Sequence, residues 1–297
     1  PSPPQPPPQP PRPPGHPPQP PSPPAPPSPP LPAAPPPASP TAIGDPKFGC
    51  GYAGPQLVEP DSPDALVAAV VDPNVSCIKL APIVYPLAST LSIGGTRTLA
   101  IVADGGRATL DGGGSVQLMK AGPDADVALA NLVLMNGYGE PGGAIFNEGT
   151  MDAHDCILEN NTAAGLGGAI AAYDGNLEMR RCILRHNKAV SGGGAIMHWD
   201  TYKKGIAMGL HSCILENNTA GTATFEDGGD ATDWEVGGAI LNLDGHVYMH
   251  NCSLFKNKSP GAGGAIYSMA WRNFAMHECS LWKNTAVTVG GAIYHSY

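Results

Sequence analysis

The sequence predicts an all-β protein whose body is a parallel β-solenoid preceded by an extended proline-rich arm. Three observations carry this prediction. The tetrapeptide GGAI occurs six times after residue 140, a Cys-x-Leu motif keeps step with it, and 25 of the 35 prolines lie within residues 1–40. A sequence period of about 20 to 50 residues is typical of solenoids, in which each repeat buries its apolar face against the next.

Residues 1–40 form the first predicted segment, a polyproline II arm. Each proline fixes φ near about −65° and lacks an amide donor, which excludes a helix or a central strand. The stiff left-handed rod that remains rises about 3.1 Å per residue, or about 120 Å over the forty residues. A spacer, a docking ligand for aromatic grooves and a glycan-bearing rod all stay open for this arm.

Serine-proline pairs punctuate the arm, and its composition resembles the hydroxyproline-rich glycoproteins of green-algal and plant extracellular matrices. The resemblance implies hydroxylated prolines and O-linked sugars in a secreted, extracellular protein of a wall, a matrix or a surface appendage. Wall or matrix polysaccharides and glycoproteins are its implied partners. The O-glycosylation candidates are Ser2, Ser22, Ser28, Ser39, Pro3, Pro4, Pro23, Pro24, Pro29 and Pro30.

Residues 41–130 are predicted to hold the N-terminal cap and the first coils of the solenoid. Ser62, Pro63 and Asp64 offer an N-cap, a proline at the first helical position and an acidic residue in the first turn. They predict a short helix from Pro63 to about Val71 that plugs the end of the solenoid. The apolar segments 77–80, 91–93 and 99–102 then predict strands.

Residues 131–297 carry the repeats. GGAI begins at Gly142, Gly167, Gly193, Gly237, Gly263 and Gly290, mostly 25 to 27 residues apart. Apolar residues five and three positions before most of the repeat cysteines alternate with period two, which predicts strands and not helices. Three short strands per repeat would stack about 4.8 Å apart. Between Cys213 and Gly237 the motif spacing grows from 11 to 24 residues, so an acidic loop near 222–236 is predicted to leave the solenoid.

This motif pattern resembles the polymorphic outer-membrane protein repeat, a right-handed parallel β-helix of the pectin-lyase-like class. The resemblance covers about residues 131–297 and implies that handedness for the solenoid. The class includes surface adhesins and polysaccharide-cleaving enzymes, so the fold by itself leaves the function open.

Two columns of stacked side chains follow from the repeat. The cysteine ladder (Cys156, Cys182, Cys213, Cys252 and Cys279) is predicted to point inward as small buried thiols. The asparagine ladder (Asn161, Asn187, Asn218, Asn257 and Asn284) is predicted to stack its amides at a turn, where asparagine tolerates the left-handed conformation. Cys50 and Cys77 lie outside the ladder and are expected to form a disulfide. Sequons predict N-glycosylation at Asn74, Asn160, Asn217, Asn251 and Asn257.

No catalytic residue, cofactor or metal site is predicted. Asp152 with Asp155, Arg180 with Arg181, and the acidic insert are not expected to recur at one position in neighbouring coils, which favours solvated surface charge. Ca²⁺ at the insert is an alternative, although the insert lacks the alternating ligand spacing of a dedicated loop. Five histidines lie near turns without a nucleophile partner, and five aromatic residues are available for sugar stacking. The histidines are His154, His186, His211, His250 and His277, and the aromatics are Trp199, Tyr202, Trp234, Trp271 and Trp282.

Two classes of function remain. The favoured class is a structural extracellular glycoprotein, a building block of a wall, matrix or surface fibre. The alternative is a polysaccharide lyase or hydrolase, or a carbohydrate-binding adhesin. The chain stops within a coil, and unpaired strand edges there predict head-to-tail association into a filament. No apolar run approaches the length of a transmembrane helix, and no basic patch predicts nucleic-acid binding.

Overall fold

The structure, a computed structural model, describes residues 50, 57–202, 204–221, 236–269 and 272–296. The proline-rich arm with its O-glycosylation candidates, the acidic insert up to residue 235, Trp234 and Trp271 lie outside these residues. Within the described ranges the chain forms 30 short strands and one helix. No helix in these ranges is long and apolar enough to cross a bilayer.

The elements of the first coils precede the repeats. They are β1 (Leu57–Val58), α1 (Pro63–Val71), β2 (Cys77–Leu80), β3 (Val84–Pro86), β4 (Leu91–Ile93), β5 (Thr98–Ala103), β6 (Ala108–Asp111), β7 (Met119–Ala121) and β8 (Asp126–Ala130).

The repeat region continues with short strands to the last described residues. The first of them are β9 (Leu132–Met135), β10 (Tyr138–Gly139), β11 (Ile145–Asn147), β12 (Thr150–His154), β13 (Ile157–Glu159), β14 (Thr162–Ala163), β15 (Ile170–Tyr173), β16 (Asn176–Arg180), β17 (Ile183–Arg185), β18 (Lys188–Ala189) and β19 (Ile196–Trp199). The remaining ones are β20 (Ala207–His211), β21 (Ile214–Glu216), β22 (Ile240–Leu243), β23 (His246–His250), β24 (Ser253–Phe255), β25 (Lys258–Ser259), β26 (Ile266–Met269), β27 (Phe274–His277), β28 (Ser280–Trp282), β29 (Thr285–Ala286) and β30 (Ile293–Ser296).

Three long sheets run along the solenoid, and neighbouring strands in each of them come from successive coils and pair in parallel. The first sheet has the order β1-β2-β5-β8-β12-β16-β20-β23-β27, the second β3-β6-β9-β13-β17-β21-β24-β28, and the third β4-β7-β11-β15-β19-β22-β26-β30. Two smaller parallel sheets, β10-β14-β18 and β25-β29, follow the second sheet in several coils. About eight coils with one strand in each long sheet confirm the predicted parallel β-solenoid.

Helix α1 begins at Pro63 and ends at Val71. The side chain of Ser62 caps it by accepting a hydrogen bond from the amide of Ala65 at 3.3 Å. The buried side of the helix, with Leu66 and Val70, belongs to the same apolar core as the first coils. The helix therefore continues the core of the solenoid on its N-terminal side.

The two glycines of GGAI have different physical roles, as the repeat at Gly167 shows. Gly167 has φ +71°, a region that favours glycine. Gly168 has an ordinary φ, but a Cβ there would overlap the carbonyl oxygen of Gly194 in the next coil. One glycine makes the turn and the other allows two coils to approach.

The interior is filled by columns of apolar side chains, one member per coil. In the third sheet the column is the isoleucine of each GGAI, as in Ile170 and Ile196, which pair in register. In the second sheet it is the leucine of each Cys-x-Leu, as in Leu158 and Leu184. Both columns lie in one contiguous core with the inward residues of the first sheet. The period-two alternation that predicted strands is therefore the alternation between core and outside.

The asparagine ladder is continuously hydrogen-bonded, and it is buried except for the half-buried Asn284. The Nδ2 group of Asn187 donates to the carbonyl of Leu158 at 3.0 Å and to Oδ1 of Asn218 at 3.0 Å. Its own Oδ1 accepts from the backbone amide and from Nδ2 of Asn161, at 3.1 and 3.0 Å. The other members repeat this pattern along the coils.

The left-handed residue at this turn is the one before each ladder asparagine, contrary to the expectation that the ladder residue would take that conformation. Asn160 has φ 55°, His186 55° and Asn217 52°. A second left-handed residue precedes each ladder cysteine, as at Asp155 (φ 55°) and Arg181 (φ 53°). The ladder asparagine must point inward to hydrogen-bond along the solenoid, so the preceding, outward residue makes the bend.

The five ladder cysteines are free thiols, of which four are buried and Cys279 is half-buried. The thiol of Cys182 lies 3.4 Å from the carbonyl oxygens of Ala153 and Arg180 and donates to them. Burial raises the pKa of the Cys182 and Cys213 thiols well above the ordinary value. Outside the ladder, Cys50 and Cys77 form a disulfide with a Cα–Cα distance of 5.5 Å.

Candidate functional site on the outer face of the first sheet

The outer face of the first sheet carries two columns of polar side chains. Strands β12, β16, β20, β23 and β27 pair in strict register, so equivalent residues stack at the coil spacing. One outward column begins with Asp152 and Glu178 and continues with Gly209 and Tyr248. The second outward column, named here the histidine column, consists of His154, Arg180, His211, His250 and His277.

The expectation that charged residues do not recur at one position is therefore wrong for this face. Asp152 pairs directly with Glu178, and His154 pairs with Arg180. Asp155 and Arg181 also meet, because both precede a ladder cysteine by one position. The sequence does contain a sign of this recurrence. Asp152 and Glu178 each lie four residues before a ladder cysteine, and every member of the histidine column lies two residues before one.

Asp152 and Glu178 are not fully solvated carboxylates. Asp152 is 4% exposed, and Glu178 contacts Arg180 Nη2 at 2.8 Å and His211 Nε2 at 2.9 Å. Gly209 makes room for this arrangement, since a Cβ there would overlap the Glu178 carboxylate. A shallow cleft of about 300 Å³ lies over the pair and is also lined by Thr150, Asn176, Arg180 and Ala207. The face thus places two carboxylates and a guanidinium around one open surface cleft.

His154 lies beside this cleft and is mostly buried. Burial lowers its pKa, and the positive charges of Arg181 and Arg180 lower it further. The lowered pKa means that the imidazole of His154, on the same strand as Asp152, is harder to protonate than an exposed imidazole. Proton transfer by an imidazole requires a substrate within hydrogen-bond reach.

An ion pair between a buried carboxylate and a half-buried guanidinium holds the turn that follows the strands of this face. Asp155 is 1% exposed, and Arg181 binds it through both carboxylate oxygens, with Nε to Oδ1 at 2.9 Å and Nη2 to Oδ2 at 2.7 Å. The hydrogen bond to Asp155 raises the pKa of Arg181. Asp155 was expected to be a solvated surface charge, which is wrong, because the guanidinium of the next coil covers it.

The far end of the histidine column brings together three groups that can bind metals. The rings of His250 and His277 stack with a centroid distance of 5.2 Å and an interplanar angle of 3°. Glu278, which follows His277 in the chain, lies 3.5 Å from His250 Nε2 and 3.8 Å from His277 Nδ1. The ligand atoms of the three side chains all lie within 4.8 Å of one another. The remaining predicted histidine, His186, lies exposed at a turn beside the second sheet.

The sequon asparagines differ in exposure. Asn74, Asn160 and Asn251 are exposed, and Asn217 is half-buried. Asn257 is fully buried, and its Nδ2 group donates to Leu215 O and Asn284 Oδ1. The prediction of a glycan on Asn257 is therefore wrong for the folded protein, because the amide nitrogen that would carry the sugar belongs to the asparagine ladder.

The aromatic residues considered for sugar stacking lie on different faces. Trp199 packs against Tyr173 on the outer side of the third sheet, with ring centroids 5.3 Å apart. Trp282 stacks on Phe255 at 4.6 Å on the second sheet. Tyr202 is 73% exposed in the loop after β19. The three described candidates, Trp199, Tyr202 and Trp282, therefore do not form one aromatic platform.

Two segments of the chain, residues 155–173 and 251–269, match the Chlamydia polymorphic membrane protein repeat. Each matched segment runs from the turn before a ladder cysteine, through the second-sheet strand and GGAI, to the end of a third-sheet strand. No curated protein and no solved structure gives a significant match to the chain. Together the match and the structure support a parallel β-helix built from repeats of this type.

Proposed function

We propose that this chain is a structural protein of the cell surface or extracellular space, in which a rigid β-helix displays its outer faces. The observation that carries the proposal is the filled interior, where ladders of apolar side chains and of asparagines continue from coil to coil. A body packed in this way makes each coil contact mainly its neighbours and gives a regular, stiff rod. Chemistry with external partners is then confined to the outer faces.

A secreted, oxidising environment is part of the proposal. Cys50 and Cys77 form a disulfide, which persists in oxidising compartments. Asn74, Asn160 and Asn251 are exposed sequon residues, as a glycan acceptor must be. The similarity of two repeats to a Chlamydia polymorphic membrane protein repeat supports a surface location.

Assembly into a fibre and a hydroxylated, glycan-bearing arm belong to the same proposal. The in-register parallel pairing of the coils supports end-to-end association, since the same register can continue from one copy to the next. The proline content of residues 1–40 supports a stiff arm that cannot pair with a sheet. Wall or matrix polysaccharides and glycoproteins are the partners that such a glycoprotein would meet.

Two measurements test these parts separately. Mass spectrometry of an intact peptide from residues 1–40 of the native protein should find hydroxylated prolines that carry sugars. Unmodified proline throughout would contradict the matrix-glycoprotein part. Negative-stain electron microscopy of concentrated protein should show rods joined end to end, and a field of dispersed monomers would contradict the fibre.

A second candidate function, action on or binding of an acidic or neutral polysaccharide, is favoured by the cleft on the first sheet. Asp152 and Glu178 occupy paired positions on neighbouring strands, with Arg180 beside them. A pair of carboxylates on one surface is the usual requirement for acid and base catalysis of glycoside cleavage. The guanidinium would suit a carboxylated sugar.

Release of reducing ends from a panel of polysaccharides distinguishes the two functions. The structural proposal predicts no product from the full chain. The matched variants are Glu178→Gln in the cleft and Glu159→Gln on the second sheet, where Glu159 pairs with Arg185 at 2.6 Å. Product that is lost in Glu178→Gln and kept in Glu159→Gln would replace the structural proposal with the enzymatic one.

A further inference from the structure

The exposed end of the histidine column holds a group of ligand-type side chains that the structural proposal does not use. His250 and His277 occupy paired positions on β23 and β27, so the sheet itself sets their separation. Glu278 lies one residue beyond His277, at the left-handed turn before Cys279 (φ 55°). The side chains are 51%, 72% and 63% exposed for His250, His277 and Glu278, which leaves them open to an ion from solution.

The spacing of these atoms is close to that of a metal site. Zinc binds nitrogen and oxygen ligands at about 2.0 to 2.2 Å, which puts neighbouring ligand atoms of a tetrahedron about 3.3 Å apart. The carboxylate of Glu278 already lies 3.5 Å from His250 Nε2 and 3.8 Å from His277 Nδ1. The largest separation among the three ligand atoms is below 4.8 Å. Because the three side chains are exposed, rotation about their side-chain bonds would close these gaps without a shift of the backbone.

The next histidine of the column, His211, does not belong to this group of three ligand-type side chains. His211 is the next imidazole along the face, with its ring centroid 6.5 Å from that of His250. Its Nε2 is engaged by Glu178 at 2.9 Å, at the edge of the carboxylate cleft. His211 is therefore held toward Glu178, while Glu278 faces His250 and His277.

We propose that His250, His277 and Glu278 bind a divalent transition-metal ion on the surface of the solenoid. Two imidazoles and one carboxylate are a donor set that suits zinc and copper, whereas calcium and magnesium prefer oxygen ligands alone. Water completes the coordination, because the site is open on its outer side. The ion links two successive coils, since His250 belongs to one coil and the other two ligands belong to the next.

Titration of the tag-free full chain with Zn²⁺ by calorimetry, after chelator treatment, tests the proposal. We expect one ion per chain at this site, and a loss of affinity of about tenfold or more in His277→Asn and in Glu278→Gln, since each removes one of three protein ligands. Co²⁺ should give a visible d–d spectrum with the wild type, and these variants should weaken it.

The matched controls are His211→Asn, in the same column, and His186→Asn, at an exposed turn elsewhere. Both should bind Zn²⁺ with the wild-type affinity, and circular dichroism should show that all variants are folded. Absence of binding by the wild type would overturn the proposal. Binding that His277→Asn and Glu278→Gln leave unchanged would place the ion elsewhere and overturn it too. An equal loss in His211→Asn would show a diffuse histidine surface in place of the three-residue site.

Discussion

The asparagine ladder and the histidine column are both polar columns with one member per coil, but they obey different rules. The ladder is buried except at its half-buried last member, and from Asn187 onward each side chain donates to a carbonyl and accepts from the preceding asparagine at the same time, which only an amide can do. The column is on the outer face, where Arg180 replaces a histidine and every member except the buried His154 is at least partly exposed to water. The hydrogen bonds of the asparagine ladder therefore fix residue identity, whereas the outer column varies from coil to coil.

Removal of one ladder amide is the strongest test of this difference. In Asn187→Ala, the backbone amide of Asn161 and the carbonyl of Leu158 each lose a buried hydrogen-bond partner. Oδ1 of Asn218 keeps the hydrogen bond from the backbone amide of residue 187. At about 1 to 3 kcal/mol for each of these two orphaned groups, we expect the free energy of unfolding to fall by about 2 to 6 kcal/mol. Urea denaturation followed by circular dichroism measures it.

The control for this variant is Asn160→Gly, in the preceding coil. Asn160 is exposed, and glycine accepts its φ of 55° without strain. We expect a change below about 1 kcal/mol. Equal effects of the two variants would show that the ladder adds nothing beyond ordinary turn formation.

A histidine inside the solenoid sharpens the comparison with the histidines outside. His198 is fully buried, and its Nδ1 lies 2.9 Å from Oδ1 of Asn242. Burial lowers the pKa of His198 to about 4. Because the unfolded pKa is about 6.5, the unfolded state binds the proton first, and stability falls as the pH drops from about 6.5 to about 4.

The pH-dependent loss expected from His198 is about 3 kcal/mol over that interval. Chemical denaturation of the wild type and of His198→Gln at pH 4, 5, 6 and 7 isolates this contribution, because glutamine does not titrate. The difference between the two proteins should change with pH in the stated direction. Parallel pH profiles would show that His198 is protonated equally well in the folded state.

Substitution in the outer column should have the smallest effect on stability. His277 is 72% exposed, so His277→Asn should alter the free energy of unfolding by less than about 0.5 kcal/mol in metal-free buffer. Thermal denaturation with a chelator present gives this value. A loss above about 1 kcal/mol would mean that the column is part of the packing, as the asparagine ladder is.

Much of the fold could be predicted because the same residue pattern recurs in every repeat. The segment 77–80 was predicted as a strand and is β2, and the motif spacing predicted three strands in each coil. These features depend on the alternation of apolar and polar residues and on a fixed repeat length. Both can be seen in the amino-acid sequence. The left-handed position at the asparagine turn was misplaced by one residue, because a preference of asparagine for such turns does not say which of two adjacent residues bends.

The candidate site was harder to predict than the fold. Asp152 and Asp155 were predicted to be solvated surface charges, because no residue close to them in the sequence indicates that they are covered. Asp155 is buried only because Arg181, 26 residues later, extends across it. The pairing of Asp152 with Glu178 likewise depends on the coils having equal length between the first-sheet strands.

The sequence by itself determined the solenoid, its three-strand coil, and the cysteine and asparagine ladders, because each repeat carries the same local turn and alternation signals. Only the tertiary structure decided which outward groups meet: Asp152 and Glu178 on neighbouring strands, with Arg180 bound to Glu178, and the three ligand-type side chains of His250, His277 and Glu278. The physical reason is that contacts between coils are made through space. They depend on the register of the parallel strands and on side-chain direction. The residue pattern of a single repeat predicts neither of these.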